Sequence, residues 1–185
     1  MTQELYQAVT GSNPSYNKAS LQHPVECVYT SECSSFITIL NKYTSLVFSF
    51  PVKTQWQYAA KGGSSSQGYI YSGSDDPNLV AWYTENSNGK THKVKTKQAN
   101  ELGIYDMCGN VREWCHDAYN DYPDTHQKNP LQTYGKYRYK NHKIVRGGHY
   151  TAEINKCGPT SRGAQTNDYK GCGTGFRLAM SIEKS

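Results

Sequence analysis

The sequence predicts a single α+β domain rich in loops, on three observations. Helical apolar periodicity is confined to the first third of the chain, and only short extended runs follow, with no strand–helix–strand rhythm and no internal repeat. Sixteen Gly and seven Pro divide the chain into many turns and few long elements. Only 36% of residues are hydrophobic, but 16 Tyr and 3 Trp supply large apolar faces with a polar tip, which suits packing beneath irregular backbone. At 185 residues the chain can bury a substantial core and fits one domain, residues 1–185.

In chain order, residues 2–9 read as a short helix, with Thr2 placed to cap it and Leu5, Tyr6 and Val9 on one face. Gly11-Ser-Asn-Pro14 turns the chain, and residues 24–29 alternate enough for a brief strand. Ser31 is placed to cap a second helix to Asn41, in which Cys33, Phe36, Ile37 and Leu40 recur at helical spacing. Residues 46–50 form a strand stopped by Pro51. Residues 54–61 form a helix with Trp56, Ala59 and Ala60 inward, ended by Gly62-Gly63. A polar loop covers residues 64–78. Short extended pieces at 81–83, 144–146 and 176–178 complete the strand candidates.

The net charge of +5 has its densest source in Tyr134-Gly-Lys-Tyr-Arg-Tyr-Lys-Asn-His-Lys143. Cations interleaved with aromatics can track a nucleic-acid backbone. No recognition motif accompanies the run, so it reads better as an exposed strand or hairpin with a solvated basic face, and a nucleic-acid partner is not expected. No window approaches the ~18 apolar residues needed to span a bilayer. The first six residues lack the basic start and apolar core of a signal peptide, which leans towards the cytoplasm. Cys27, Cys33, Cys108, Cys115, Cys157 and Cys172 include no CxxC pair, so their spacing indicates no zinc site; a reduced protein and up to three bridges both stay open.

The chain is organised around Asn100-Glu-Leu-Gly-Ile-Tyr-Asp-Met-Cys-Gly-Asn-Val-Arg-Glu-Trp-Cys-His-Asp117. Before it come Gln3-Glu-Leu-Tyr6, Gly11-Ser-Asn-Pro-Ser15, Pro24-Val25, Trp56-Gln-Tyr-Ala-Ala-Lys-Gly-Gly63 and Ala81-Trp-Tyr83. After it come Arg146-Gly-Gly148 and Gly175-Phe-Arg-Leu178. This ordered set resembles the formylglycine-generating-enzyme, or sulfatase-modifying-factor, domain family over almost the whole chain. The resemblance implies a variant C-type-lectin-like fold: a small twisted antiparallel sheet, two or three short helices and much irregular loop. Family members usually carry further N-terminal strands, so this copy reads as shortened. They include copper-dependent oxidases of sulfatase cysteines, sulfoxide synthases and retroelement-diversified variable binding proteins. The fold alone does not choose between these.

The resemblance carries a calcium position to Asp106, Gly109, Val111 and Glu113. The two acids offer hard carboxylate oxygens and Gly109 and Val111 offer carbonyls, a mixture that Ca²⁺ accepts. Residues 109, 111 and 113 share parity, so an extended stretch repeats their direction. The competing reading is that both acids only satisfy local N–H groups. For catalysis, the family's oxidases hold Cu(I) with two cysteines five residues apart; here the matching positions are Ala152 and Cys157. One thiolate cannot form that soft pair, so copper is not expected, and His149 is a poor replacement as a lone loop imidazole. Cys157 is the catalytic candidate only if the protein is an enzyme. Arg146, Arg162 and Arg177 match family arginines that brace loops, and Trp56 and Trp114 are core candidates. The segment 148–174 combines small polar residues with Tyr, the chemistry of adaptable recognition loops. Its candidate contact residues are His149, Tyr150, Ala152, Asn155, Ser161, Asn167, Asp168 and Tyr169, although a surface loop without a role has the same composition. A bridge from Cys157 to Cys172 could staple it. The expectation is a non-oxidase binding module for a protein or small ligand, with a copper oxidase as the alternative.

Overall fold

The computed structural model describes residues 1–120 and 139–181, which hold a mixed α+β architecture. Four helices and eight strands are described: α1 (Gln3–Thr10), α2 (Thr30–Thr44), β1 (Phe48–Ser49), α3 (Lys53–Ala60), α4 (Pro77–Val80), β2 (Ala81–Trp82), β3 (Cys108–Gly109), β4 (Arg112–Ala118), β5 (His142–Arg146), β6 (Arg162–Thr166), β7 (Thr174–Phe176) and β8 (Ala179–Met180). Four strands form one sheet in the order β6-β5-β4-β7, while β1–β8 and β2–β3 make two small pairs. Within the main sheet β4 runs antiparallel to β5 and parallel to β7. The first half of the basic run at 134–143 lies outside the described residues; its last part opens β5 at His142.

Local chemistry explains the helix ends. Thr2 accepts the Leu5 N–H at 3.2 Å, and α1 closes at Gly11 with φ +76, a left-handed turn that costs glycine nothing. The start of α2 departs from expectation. Tyr29, not Ser31, holds the capping position, and the Glu32 carboxylate reaches back to accept the Tyr29 N–H at 2.8 Å. The predicted strand at 24–29 does not form. Only a bridge between Thr2 and Pro24 exists there, and Cys27 at φ +58 breaks the extension while Val25 and Val28 stay buried. Of residues 46–50 only Phe48 and Ser49 pair, clamped by the Asn41 amide, which bonds both the N–H and the carbonyl of Phe48.

Strand β4 separates two cores, because neighbouring residues on a strand face opposite sides. Trp114 is buried among Tyr6, Val25, Val28, Phe36, Val145 and Phe176, where Tyr6 stacks on Phe36 at 5.3 Å and Phe176 meets Phe36 edge-on. Cys115 belongs instead with Trp56, Ala60, Met107 and Ile144. Truncating such a buried aromatic to Ala costs ~3–5 kcal/mol. Close backbone approach completes the sheet: a Cβ on Gly175 would stand 2.3 Å from the Val25 carbonyl oxygen. Sequence reasoning did not single out β4 or β6 as strands. Their residues, Arg-Glu-Trp-Cys-His-Asp-Ala and Arg-Gly-Ala-Gln-Thr, show no clean alternation, since one strand is covered on both faces and the other is half-buried throughout.

Candidate functional site

Two sites flank β4, and its adjacent residues Glu113 and Arg112 belong to different ones. On one side, Glu113 Oε2 accepts the Trp56 indole N–H at 2.6 Å and the Arg177 Nε–H at 2.5 Å. Arg177 also donates to the carbonyls of Tyr105 (3.0 Å) and Asp106 (3.3 Å). This triad ties α3, β4 and the segment after β7 together. Asp106, at φ +56, accepts the Lys95 N–H at 2.8 Å. Burial raises its carboxyl pKa, against the opposing pull of the Lys95 N–H and Arg177.

Asp106, Val111 and Glu113 line one cavity of about 420 Å³ together with Arg177. Gly109 is not among its walls. Held at φ +72 with its N–H on the Gly147 carbonyl at 2.7 Å, it lies so close to Trp82 that a Cβ would stand 2.0 Å from that carbonyl oxygen. The donor set accommodates a hard cation on two counts: among the described residues no hydrogen bond ends on Glu113 Oε1, and the half-buried Asp106 carboxylate carries a desolvation penalty that a cation would offset. Arg177 already neutralises part of Glu113, so an ion here shares that carboxylate with it.

On the other side of β4, the Arg146-Gly147-Gly148 sequence makes a left-handed exit from β5, with φ +89 and +68 at the two glycines. A Cβ on Gly148 would stand 2.5 Å from Cys157 Sγ, so the glycine lets residues 149–157 fold back against the strand end. The resulting cavity, about 490 Å³, is walled by Arg112, Arg146, His149, Ala152, Asn155, Lys156, Ser161 and Arg162 among others, with no carboxylate among the described residues lining it. Arg146 donates to the carbonyls of Thr160 and Ser161 and to Gln57 Oε1, while Arg162 reaches the Asn120 carbonyl and stacks over Tyr119. Arg112 bonds the hydroxyls of Thr174 (2.8 Å) and Tyr169 (3.2 Å). Burial, and then the Arg112 charge, lowers the His149 pKa from its ordinary 6.5 to about 4, so the imidazole is neutral at physiological pH.

The chain matches the sulfatase-modifying factor enzyme 1-like domain over residues 3–182. It belongs to that family. Among curated relatives it is similar to the chaperone protein LppX of Paenibacillus barcinonensis, 37% identical over 58% of this chain and 40% of that protein. It is also similar to the formylglycine-generating enzyme of Streptomyces coelicolor, 24% identical over 87% of this chain and 54% of the enzyme. The chain therefore spans about half or less of the length of these two relatives. Among solved structures it is similar to Treponema denticola variable protein 1, with TM-score 0.81 and 28% identity over 96% of this chain and 81% of that one.

Within this sulfatase-modifying-factor domain the expected site residues divide. His149, Ala152, Asn155 and Ser161 meet at the basic cavity. Asn167 and Asp168 line a separate depression with Tyr29, Thr30, His116 and Lys143, and Tyr169 covers Arg112. Tyr150 belongs to neither cavity wall and donates its hydroxyl to the Cys172 carbonyl at 2.7 Å. The segment 148–174 is thus not one loop: β6 passes through it, satisfying the β5 edge that would otherwise lie unpaired.

Cys157 is buried with Ala81, Tyr83 and Cys108, next to Ala152, and burial raises its thiol pKa to about 11. It is a protonated packing residue at neutral pH. Cys108 shares that cluster, but its sulfur accepts the Ser72 N–H and its pKa is pushed up to about 12 by burial. The suggested Cys157–Cys172 bridge does not form; Cys172 lies beside Cys27, a meeting no sequence signal predicted. The roles of Arg112 in the cavity, and of Gln57 and Asn120 in holding Arg146 and Arg162 at its wall, were likewise missed, because they depend on which strands pair.

Proposed function

We propose that this domain is a non-oxidase member of its family, a binding module whose contact surface is the rim of the basic cavity around His149, Asn155 and Ser161. The observation that carries the reading is the pairing of Ala152 with a buried, protonated Cys157 at the wall where the family's oxidases need two thiolates. The likeness to a variable protein supports it, and so does the construction of the rim: short side chains on a frame braced from behind by Arg146 and Arg162. The partner is a protein or small ligand that tolerates or seeks positive charge. A Ca²⁺ on Asp106, Val111 and Glu113, with Gly109 supporting the backbone from outside the cavity, would serve this module as a structural ion only.

The competing reading is a copper-dependent oxidase, which the likeness to a formylglycine-generating enzyme keeps in play. Loading the protein with Cu(I) and supplying a sulfatase-derived cysteine peptide distinguishes the two by mass spectrometry. We expect the peptide to stay unmodified; formylglycine would overturn the binding-module reading. In the positive arm, libraries randomised at residues 149, 152, 155 and 161 should yield folded binders to immobilised proteins. Loss of folding in most members would mean that the rim is structural.

A further inference from the structure

Away from both cavities, one group of side chains has no place in the reading above. Glu26 and Cys27 lie on the irregular segment that follows Pro24, and Cys172 lies on the loop entering β7. Cys27 Sγ stands 2.9 Å from Cys172 Sγ, and its S–H donates to Glu26 Oε2 at 2.7 Å. One ligand atom from each of the three residues falls within 4.8 Å of the others. The chain accepts a strained backbone to achieve this, since Cys27 adopts φ +58, a conformation unfavourable for a residue with a Cβ.

Glu26 is the telling member. It is 1% exposed, yet the ion pairs of the described residues, Lys170–Glu32 and Arg177–Glu113, leave it out. Among the described residues its other oxygen accepts only the Asn17 N–H, at 2.9 Å. A buried carboxylate facing two thiols, with neutral donors alone, carries a desolvation penalty that a cation would offset. Two sulfurs and one carboxylate oxygen suit a borderline-soft divalent ion, since thiolates select against Ca²⁺ and Mg²⁺ while Zn²⁺ accepts both ligand types.

We propose that Glu26, Cys27 and Cys172 form a zinc-type metal site with three protein ligands and a water in the fourth position. Cys172 is exposed, which leaves room for that water. Binding draws the sulfurs apart from their present contact and releases both thiol protons to solvent, so that two thiolates and a carboxylate face the dication. The ion would fix the far end of the 148–174 segment to the N-terminal half, and with it Tyr150, whose hydroxyl is anchored on the Cys172 carbonyl. A disulfide would use the same sulfurs but would give Glu26 no role, and a carboxylate beside Cys27 opposes the thiolate that disulfide exchange requires.

The test uses the intact protein, reduced and stripped of metal, titrated with zinc chloride against a chromophoric chelator. We expect roughly one equivalent to bind with release of about two protons. Cobalt(II) in place of zinc should show thiolate-to-metal charge-transfer absorption. Cys172→Ser changes an exposed position and should fold as the parent does while losing the high-affinity equivalent and the absorption. Glu26→Gln should weaken binding more than the ~10-fold typical of losing an outer-shell partner. Two outcomes overturn the proposal. In one, Cys172→Ser binds zinc as the parent does; in the other, the reduced protein takes up no zinc but loses two titratable thiols in air, which assigns the pair to a disulfide.

Discussion

Glu113 and Arg112 are neighbours on β4, yet they live in opposite surroundings. Glu113 is buried at the wall of its own cavity, and among the described residues its carboxylate accepts from a buried indole and an arginine, linking three parts of the fold. Arg112 is half-buried at the mouth of the basic cavity, where it bonds the neutral hydroxyls of Thr174 and Tyr169 and lies under the Tyr169 ring. Strand alternation separates the two environments within one residue. The difference teaches where the fold concentrates stability and where it leaves latitude: the acid side is a charged joint that ties three elements together, and the basic side is a surface on a frame.

The sharpest way to break that contrast is to remove one charge from each side. Glu113→Gln strands Arg177 without its partner and weakens the Trp56 bond, so we expect a loss of about 3 kcal/mol, the range for breaking a buried pair. For a chain of this size that lowers the melting midpoint by ~6–12 °C. Arg112→Gln should cost less, about 1.5 kcal/mol, since the half-buried guanidinium loses bonds to neutral partners only: the Thr174 and Tyr169 hydroxyls and the Gln165 amide oxygen. Equal losses in urea melts would mean that both sides are structural.

Calcium tests the acid side next. If the ion sits on Asp106 and Glu113, free Ca²⁺ at 100 times its Kd stabilises the fold by about 2.7 kcal/mol, and chelation removes that increment. Glu113→Gln should show no response to chelator. An unchanged midpoint for the parent protein would assign the cavity to Arg177 alone. On the basic side, Gly148→Ala places a Cβ 2.5 Å from Cys157 Sγ at φ +68 and should cost ~1–3 kcal/mol. Cys157→Gly in that background should recover little, since the Lys156 carbonyl oxygen at 2.7 Å and Cys157 Cα at 2.9 Å still crowd the new Cβ. Full recovery would show that the thiol alone excludes a side chain at 148.

Much of this was legible from residues alone, and the limits have physical causes. The helical face of Cys33, Phe36, Ile37 and Leu40 is local information, and all four are buried. The parity of residues 109, 111 and 113 was also readable, but it could not show that Gly109 would be drawn against Trp82, away from the cavity that Val111 and Glu113 share. Strand β4 escaped because a strand covered on both faces loses alternation, and β6 escaped because half-buried edge residues carry none. Cysteine spacing offered Cys172 the wrong partner. Its neighbour is fixed by the left-handed turn at Cys27, and φ +58 at a cysteine leaves no trace in sequence.

The smallest expected effect is also the most specific to the basic side. His149 has a folded pKa near 4 against an ordinary 6.5. Between those values the unfolded chain binds more protons than the folded one, so the neutral ring contributes stability that is present above about pH 6.5 and is lost as pH falls towards 4. His149→Gln should lack this part of the acid limb in denaturation series run across that window, with little change at pH 7. Burial is the larger cause of the shift and the Arg112 charge the smaller. In an NMR titration of the imidazole, Arg112→Gln should therefore raise the His149 pKa only part of the way. A full return to 6.5 would mean that charge, not burial, keeps the ring neutral, and that the cavity's electrostatics reach its rim more strongly than its packing does.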